Sequence, residues 1–185
     1  MDVMNAINTR RAVREYTSAT LSRAVISDLV KAAAQAPSAM DLQPWSFLVI
    51  EGAGALERHS VEIKKHLLAV LSSSSPLYKY RDHLTDPDFN LFYGAPTLVT
   101  VFAASGDEQS IEDCCLAAEN LMLAAQGKEL GTCWIGLARP WLNLTESKEK
   151  FGIPPARVAV APIIVGTPKA VPQPLPRRAP EIVWA

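Results

Sequence analysis

Apolar residues recur at two different periods along this chain, and the two periods separate helices from strands. Spacings of three and four residues predict helices over 1–9, 22–36, 55–71, 107–130 and 145–151. Runs rich in β-branched and aromatic residues predict strands over 46–50, 97–102, 132–136 and 157–165. The helix over 107–130 has a broad face of small and apolar residues. We therefore expect it to lie at the centre of the domain or of a dimer.

Polar residues mark where three of these helices begin, and a proline marks where one ends. Asp2 and Thr145 are placed to cap their helices, because a short side-chain oxygen can accept from the free amides of a first turn, and Ser22 begins the second helix. Pro37 disfavours helical geometry at the residue before it, so the second helix should end there.

Two segments show neither period. Residues 72–90 are rich in serine and aspartate and contain Pro76 and Pro87, which fits either a mobile lid or a region of short helices. Residues 168–180 are so rich in proline that they predict an extended arm over the surface of this subunit or a neighbouring one. The apolar residues 182–184 at the tip of the arm favour anchoring on a partner.

Length and composition narrow the class of protein. The 185 residues predict one domain over 1–185, and a formal charge of −1 gives no general attraction for nucleic acid or anionic membrane. No apolar run is as long as a membrane span, and the N-terminus has no apolar signal core. Three cysteines make no disulfide framework, so we expect a reduced, cytoplasmic protein.

Two short stretches carry candidate chemistry. Arg10, Arg11 and Arg14 come directly after the first helix, and their planar guanidinium groups suit phosphate or carboxylate, although a solvated basic face is the alternative. Residues 36–45 form a loop between a helix and a strand, with prolines near both ends and three polar side chains inside. It is either a plain connection or a rigid polar lip that hydrogen-bonds a flat ligand.

The ordered set of motifs resembles the nitroreductase-like FMN-dependent oxidoreductases over nearly the whole chain. The segments that carry the resemblance are Thr9–Tyr16, Ala36–Trp45, Gly94–Pro96, Ala118–Ala125, Gly131–Gly136, Val165–Pro168 and Arg177–Arg178. The resemblance implies an α+β fold with a central mixed β-sheet flanked by helices and an extended C-terminal arm. It also implies a homodimer with FMN at the subunit interface.

The same resemblance assigns roles to individual residues. Arg10 and Arg178, with Arg11 or Arg177, would bind the FMN phosphate, and Arg14 would lie near the flavin N1–O2 edge. The backbone around Ile135 and Gly136 would face the flavin N5. A loop of the other subunit would reach over the ring through Pro37, Ser38, Ala39 and Asp41. No catalytic side chain and no metal site is implied.

Three positions depart from the family pattern. Asp41 replaces the usual asparagine, and Ala12 stands where a serine or threonine hydroxyl often meets the phosphate. Glu129 falls where a glycine commonly ends the helix. These departures bear on flavin affinity and redox tuning more than on the fold.

Three functional hypotheses follow. The first is an oxidoreductase that transfers hydride from NAD(P)H through FMN to a nitroaromatic, quinone or enone by a ping-pong mechanism. The second is a flavin-binding protein with little turnover, used for flavin sensing, storage or breakdown. The third is a dimeric interaction module without a cofactor. In the first hypothesis, residues 72–93 would lie above the flavin ring and select the acceptor.

Overall fold

A four-stranded antiparallel sheet with helices on both faces forms the centre of the fold. The computed structural model describes residues 1–170, 172–174 and 176–185. Within them the strands are β1 (Trp45–Glu51), β2 (Thr97–Ala103), β3 (Gly131–Trp134) and β4 (Val158–Gly166), in the spatial order β1-β2-β4-β3. The helices are α1 (Val3–Thr9), α2 (Arg23–Ala33), α3 (Ala53–Val70), α4 (Arg81–Thr85), α5 (Glu108–Gly127), α6 (Arg139–Leu142) and α7 (Thr145–Lys150). The α+β prediction is confirmed.

The sheet is less mixed than expected. All three strand pairs are antiparallel, and among the described residues the parallel pairing is limited to one isolated bridge between Ala12 and Thr132. The reason is the path between β1 and β2. After Glu51 the chain leaves along α3 and returns through 71–96 to the same end of the sheet, where the Gly52 amide donates to the Pro96 carbonyl (2.8 Å).

The two inner strands are buried on both faces. In β2, Leu98 and Phe102 point into a core shared with α3, α4 and α6, while Val99 and Val101 point into a core shared with α2 and α5. Burial on both faces explains why the sequence of β2 is apolar throughout rather than alternating. Its prediction as an inner strand is confirmed.

The long helix α5 is central to the domain, as its small residues predicted. It packs against α1, α2 and all four strands. Asp107 caps it by accepting from the Ser110 amide (2.9 Å). The predicted cap Asp2 is confirmed, since its side chain accepts from the Asn5 amide. Ser22, where the second helix was predicted to begin, caps α2 by accepting from the Val25 amide.

The cap predicted at Thr145 is wrong. Thr145 is the first helical residue of α7, and Leu144 precedes it without a side-chain hydrogen bond. The apolar spacing of 145–151 locates the helix but not its exact first residue, because a threonine can occupy either position.

The segment 72–90 contains short helices, so the second of its two interpretations is confirmed. A 3₁₀ turn over Pro76–Tyr80 leads into α4. The predicted arm includes Val171 and Leu175, which lie outside the described residues. In the described part of the arm, Pro168 forms an isolated bridge with Tyr16. The other described residues of the arm form no helix or strand, in keeping with their prolines.

Candidate functional site

The arginine segment is an extended strip attached to the edge of the sheet. The Val13 amide donates to the Thr132 carbonyl (2.9 Å), and the Lys169 amide donates to the Glu15 carbonyl (3.0 Å). The side chains of Val13 and Tyr16 point inward and are each 5% exposed, whereas Arg14 is exposed. The alternation seen in the sequence therefore presents Arg14 to solvent in a defined direction.

Two paired glycines make room for this strip. Gly131 and Gly166 are partners in the register of β3 and β4. A Cβ on Gly131 would lie 2.7 Å from the side chain of Val13, and one on Gly166 would lie 2.8 Å from the Tyr16 ring. Neither position can hold a side chain without moving the strip, so both glycines help to place Arg14.

The other two arginines of the strip have partners within the chain. Arg10 forms an ion pair with Glu119 (Nε to Oε1, 3.3 Å). Arg11 turns back and donates to the carbonyls of Asn8 and Arg10 at 2.7 and 2.8 Å, which caps the C-terminus of α1. Ala12, next in the strip, is exposed.

A cleft of about 480 Å³ opens beside Arg14, at the end of β3. It brings together Arg14, Ile135 and Gly136, three predicted site residues from two distant segments. The remaining lining residues come from 77–93 and from the β3–α6 region: Leu77, Tyr80, Phe89, Leu91, Tyr93, Cys133, Trp134, Leu137 and Arg139. Its size and its mainly apolar walls are those of a site for a drug-sized or cofactor-sized ligand.

The backbone at Ile135 and Gly136 leaves the sheet at the floor of this cleft. The Ile135 amide donates to the Pro162 carbonyl (2.7 Å), and a 3₁₀ turn begins at Gly136. A Cβ on Gly136 would have no atom within 4 Å, so neither packing nor the turn requires a glycine here. The open space is instead suited to close approach by a ligand.

Burial raises the pKa of two groups, one in the cleft and one beneath the strip. Burial raises the pKa of the Cys133 thiol, partly offset by the nearby guanidinium groups of Arg14 and Arg10. Burial likewise raises the pKa of Tyr16, beneath the strip, well above its usual range. The Tyr16 hydroxyl donates to the Val13 carbonyl (2.8 Å). No carboxylate lines the described part of the cleft.

The predicted lip does not line this cleft, and it is held in a strained shape. Its turn, Ala39–Asp41, has left-handed backbone at Met40 (φ 50°) and Asp41 (φ 55°), and Gln43 follows at φ 47°. Such angles are costly for residues other than glycine and persist only where the surroundings enforce them.

Two contacts enforce the shape of the lip. The buried carboxylate of Asp113 on α5 accepts from the Ala39 amide (3.2 Å), and the Ser38 hydroxyl accepts from the Gln43 amide (2.9 Å). Asp113 is a residue that sequence reasoning missed, because nothing local distinguishes it from other acids of an amphipathic helix.

Not all predicted site residues converge within one chain. Pro37, Ser38, Ala39 and Asp41 do not line the cleft, and neither do Arg10, Arg11 and Ala12. Arg177 and Arg178 lie exposed in the arm, also outside the described lining. The residues missed beforehand are chiefly Trp134, Leu137 and Arg139, while 77–93 was expected to contribute without a motif to identify its members.

Other kinds of site find no support in the described residues. They contain no group of three or more histidine, cysteine or acidic side chains that could hold a metal ion. None of their helices is both long enough and apolar enough to cross a membrane.

The nitroreductase family model matches residues 7–167, which include the strip, the lip and the cleft residues. The chain belongs to the nitroreductase family. Its members named here are distant relatives. A 4-nitrobenzoate reductase from Pseudomonas putida is 28% identical, covering 77% of this chain and 79% of that protein. A Methanothermobacter thermautotrophicus protein, named as a candidate NADH dehydrogenase/NAD(P)H nitroreductase, is 27% identical over 91% of this chain and 78% of its own length.

Solved structures confirm the nitroreductase-like fold. A Bacteroides fragilis nitroreductase with bound FMN has a TM-score of 0.86 at 24% identity, covering 100% of this chain and 99% of that one. Oxidized iodotyrosine deiodinase, bound to FMN and 3-iodo-L-tyrosine, has a TM-score of 0.74 at 23% identity, with the same coverage. The fold of this nitroreductase-family chain therefore occurs in proteins whose solved structures hold FMN.

Proposed function

We propose that the protein is an FMN-dependent oxidoreductase that transfers hydride from NAD(P)H to an organic acceptor such as a nitroaromatic, quinone or enone. One observation carries the proposal: Arg14, Ile135 and Gly136 line one mainly apolar cleft, whose described lining residues include no carboxylate. The relatives named as NAD(P)H nitroreductases, and the structures that hold FMN, agree with it.

The residues of the cleft fit FMN. Leu91 and Leu137 provide apolar surface for a flat ring, and Gly136 leaves open space for its approach. Arg14 provides a cation that would stabilise negative charge on the reduced ring. Bound FMN would supply a carrier that accepts a hydride from NAD(P)H and passes it on, so that donor and acceptor use the cleft in turn. The chain's own task is then to bind and orient them, and no side-chain acid or base is required.

The FMN phosphate would be bound by Arg10 and Arg178, with Arg11 or Arg177. Arg10 already faces a carboxylate, Glu119, so its ion pair would have to be exchanged or shared. Arg11 caps α1 in this structure, which leaves the exposed pair Arg177 and Arg178 free to supply the missing charge. Ala12 offers no hydroxyl to the phosphate.

The site would be completed by a second copy of the chain. The lip is exposed and contributes no residue to the described lining of its own cleft, with Met40 91% and Leu42 66% exposed. Further exposed apolar residues lie on α1 and at the tip of the arm, as an interface requires: Met1, Val3, Met4, Ile7, Ile182, Val183 and Trp184. Pro37, Ser38, Ala39 and Asp41 would then reach the cleft of the partner.

The proposal is tested by the visible spectrum of the purified protein, with FMN added, before and after anaerobic mixing with NADH or NADPH. We expect one FMN per chain and rapid bleaching by at least one nicotinamide. Arg14→Gln should weaken FMN binding about tenfold or more, the effect of losing a charge-assisted hydrogen bond. Arg58→Gln, which removes an exposed arginine of α3, is the matched control. A protein that takes up no FMN contradicts the proposal.

A flavin-binding protein with little turnover is the second candidate. The observation behind it is Asp41, an exposed carboxylate whose Oδ1 accepts from the Gln43 side chain (2.9 Å). Beside a ring that gains negative charge on reduction, a carboxylate opposes that change. FMN that binds tightly but is bleached slowly, and faster after Asp41→Asn, would favour this candidate.

A further inference from the structure

Arg139 is a second cation in the cleft, and the proposed flavin site does not use it. It begins α6, directly after the turn that starts at Gly136. Its carbonyl accepts from the Asn143 side chain (3.1 Å) and the Asn143 amide (3.2 Å), which fixes the backbone from which the side chain extends. Among the described residues, its guanidinium takes part in no hydrogen bond or ion pair, although it lines the cleft.

The two arginines give the cleft a net positive charge. Arg14 lies with its guanidinium carbon 5.9 Å from the centre of the Tyr93 ring, on the strip. Under the proposed function Arg14 serves the flavin, and Arg139 remains available on the α6 side. A cation without a partner in a mainly apolar cleft attracts a ligand that brings the opposite charge.

One wall of the cleft, formed by residues of 77–93, is suited to an aromatic ring. Phe89 and Tyr93 pack edge to face with their ring centres 5.8 Å apart, and Leu77 and Tyr80 continue the wall. Flat rings pack well against such surfaces, and a guanidinium presents two parallel donors that match a carboxylate.

We infer that Arg139 binds the carboxylate of an aromatic electron acceptor, so that the preferred substrates are aromatic acids such as nitrobenzoates. This inference rests on the proposed function and specifies its substrate class. For a nitro group the first step consumes one NAD(P)H and one proton, and yields NAD(P)⁺, water and the nitroso compound. Two electrons pass to the nitrogen, one N–O bond breaks, and the carboxylate is unchanged.

The test compares 4-nitrobenzoate with the neutral analogue 4-nitrobenzamide in wild-type protein, Arg139→Gln and Arg139→Lys. We expect Arg139→Gln to lower kcat/KM for 4-nitrobenzoate about 10- to 100-fold, the effect of a lost hydrogen bond to a charged group. The value for 4-nitrobenzamide should change less than about threefold. Arg139→Lys should recover part of the loss, and Arg58→Gln should change neither substrate.

A binding measurement gives a readout without turnover. Benzoate titrated into the oxidised, FMN-loaded protein should perturb the flavin spectrum with a dissociation constant that rises about tenfold or more in Arg139→Gln. Benzamide should bind equally to both proteins. The benzoate constant of the wild type alone should also rise with salt, because the pair is electrostatic.

Several results would overturn the inference. One is an equal effect of Arg139→Gln on acid and amide; another is an effect confined to reduction by NADPH, which would assign Arg139 to the nicotinamide phosphate. In either case bleaching of the flavin by NAD(P)H still supports the proposed function. If the wild type does not bind FMN, both the proposed function and the role of Arg139 are contradicted. The FMN titration shows this before any acceptor is added.

Discussion

At the scale of single residues, Glu129 and Gly136 show two different reasons for the residue found at a position. Glu129 lies in a turn whose backbone favours glycine, whereas Gly136 is a glycine that the backbone does not require. Glu129 has a left-handed backbone (φ 59°) in the turn that ends α5. There the Leu130 amide donates to the Ala125 carbonyl (2.9 Å) and the Glu129 amide to the Gln126 carbonyl (3.0 Å), the Schellman arrangement in which glycine is usual. The turn therefore keeps its ordinary shape, and Glu129 is strained in it.

Glu129→Gly should raise the free energy of unfolding by about 1 kcal/mol, because glycine adopts this backbone without a Cβ clash. Glu129→Ala is the control, since it removes the charge but keeps the strain, and it should change stability little. Urea unfolding of the three proteins measures both effects. Equal gains in the two variants would show that charge, not backbone strain, is responsible.

Gly136 is the opposite case, a glycine that the fold does not need. Gly136→Ala should leave the unfolding temperature unchanged and weaken FMN binding about tenfold or more, because the added methyl group enters the open space of the cleft. Gly127→Ala adds a methyl group to open space outside the cleft and should leave FMN affinity unchanged. Flavin fluorescence titration and a thermal melt suffice. Unchanged FMN affinity in Gly136→Ala would mean that the ligand does not approach this turn.

At the scale of elements, α5 organises both the sheet and the lip. Its buried Asp113, 2% exposed, accepts from the Ala39 amide of the lip and from the Gln109 side chain (3.2 Å). The N-terminus of the same helix is capped by Asp107, whose carboxylate also accepts from the Ser105 hydroxyl. Asp107 thus stabilises the start of the helix itself, whereas Asp113 connects the helix to the distant lip.

Asp113→Ala should cost about 1–3 kcal/mol in unfolding free energy, since it leaves the Ala39 amide without its acceptor. The lip should also lose rigidity, which hydrogen exchange of the amides of residues 39–43 would report. Asp113→Asn keeps an acceptor oxygen and should have the smaller effect in both measurements. Unaltered exchange in Asp113→Ala would show that the lip does not depend on α5.

Asp107 makes the stability of α5 sensitive to acid. The hydrogen bond from Ser105, with those from the Ser110 amide and side chain, lowers the pKa of Asp107 to about 2. A carboxyl group whose folded pKa is depressed contributes fully above its unfolded pKa of about 4, and the contribution is lost as the pH falls towards 2. Asp107→Asn still caps the helix but does not titrate.

The stability difference between wild type and Asp107→Asn should therefore shrink between about pH 4 and pH 2. Urea midpoints at pH 5, 3.5 and 2.5 give this difference, and the other acids cancel because they are common to both proteins. A gap that stays constant over this range would mean that Asp107 is not perturbed.

At the scale of the whole molecule, the lip contributes no residue to the described lining of the cleft, so the proposed site needs two chains. If the protein is the proposed dimer, Met40→Lys should shift it towards monomer and release FMN in parallel, because a charge would be buried in the interface. Val61→Lys is the matched control, since Val61 is an apolar residue of α3 that is 58% exposed and lies outside the proposed interface. Light scattering and the bound-flavin spectrum measure the two effects. A monomeric wild type that binds FMN would contradict the dimeric site.

Short-range patterns in the sequence determined the positions of the main helices and strands, the helix caps and the family. The periods of apolar residues located the long helices and inner strands, and the caps at Asp2 and Ser22 depend on contacts only three residues apart. The ordered motifs indicated the family, and Arg14, Ile135 and Gly136 do line one cleft. Each of these features depends on neighbours along the chain or on motifs that occur in the same order throughout the family.

The tertiary structure alone decided the direction of the strands, the restraint of the lip by Asp113, and the entry of Arg139 into the cleft. Each depends on segments far apart in the chain, as with Ala39 and Asp113, which are 74 residues apart. The type of a residue and its spacing from its neighbours do not predict such a distant partner, because the same acid or arginine is equally compatible with any solvated helix face. Only the packing of α5 and α6 against the sheet gives these side chains their tasks.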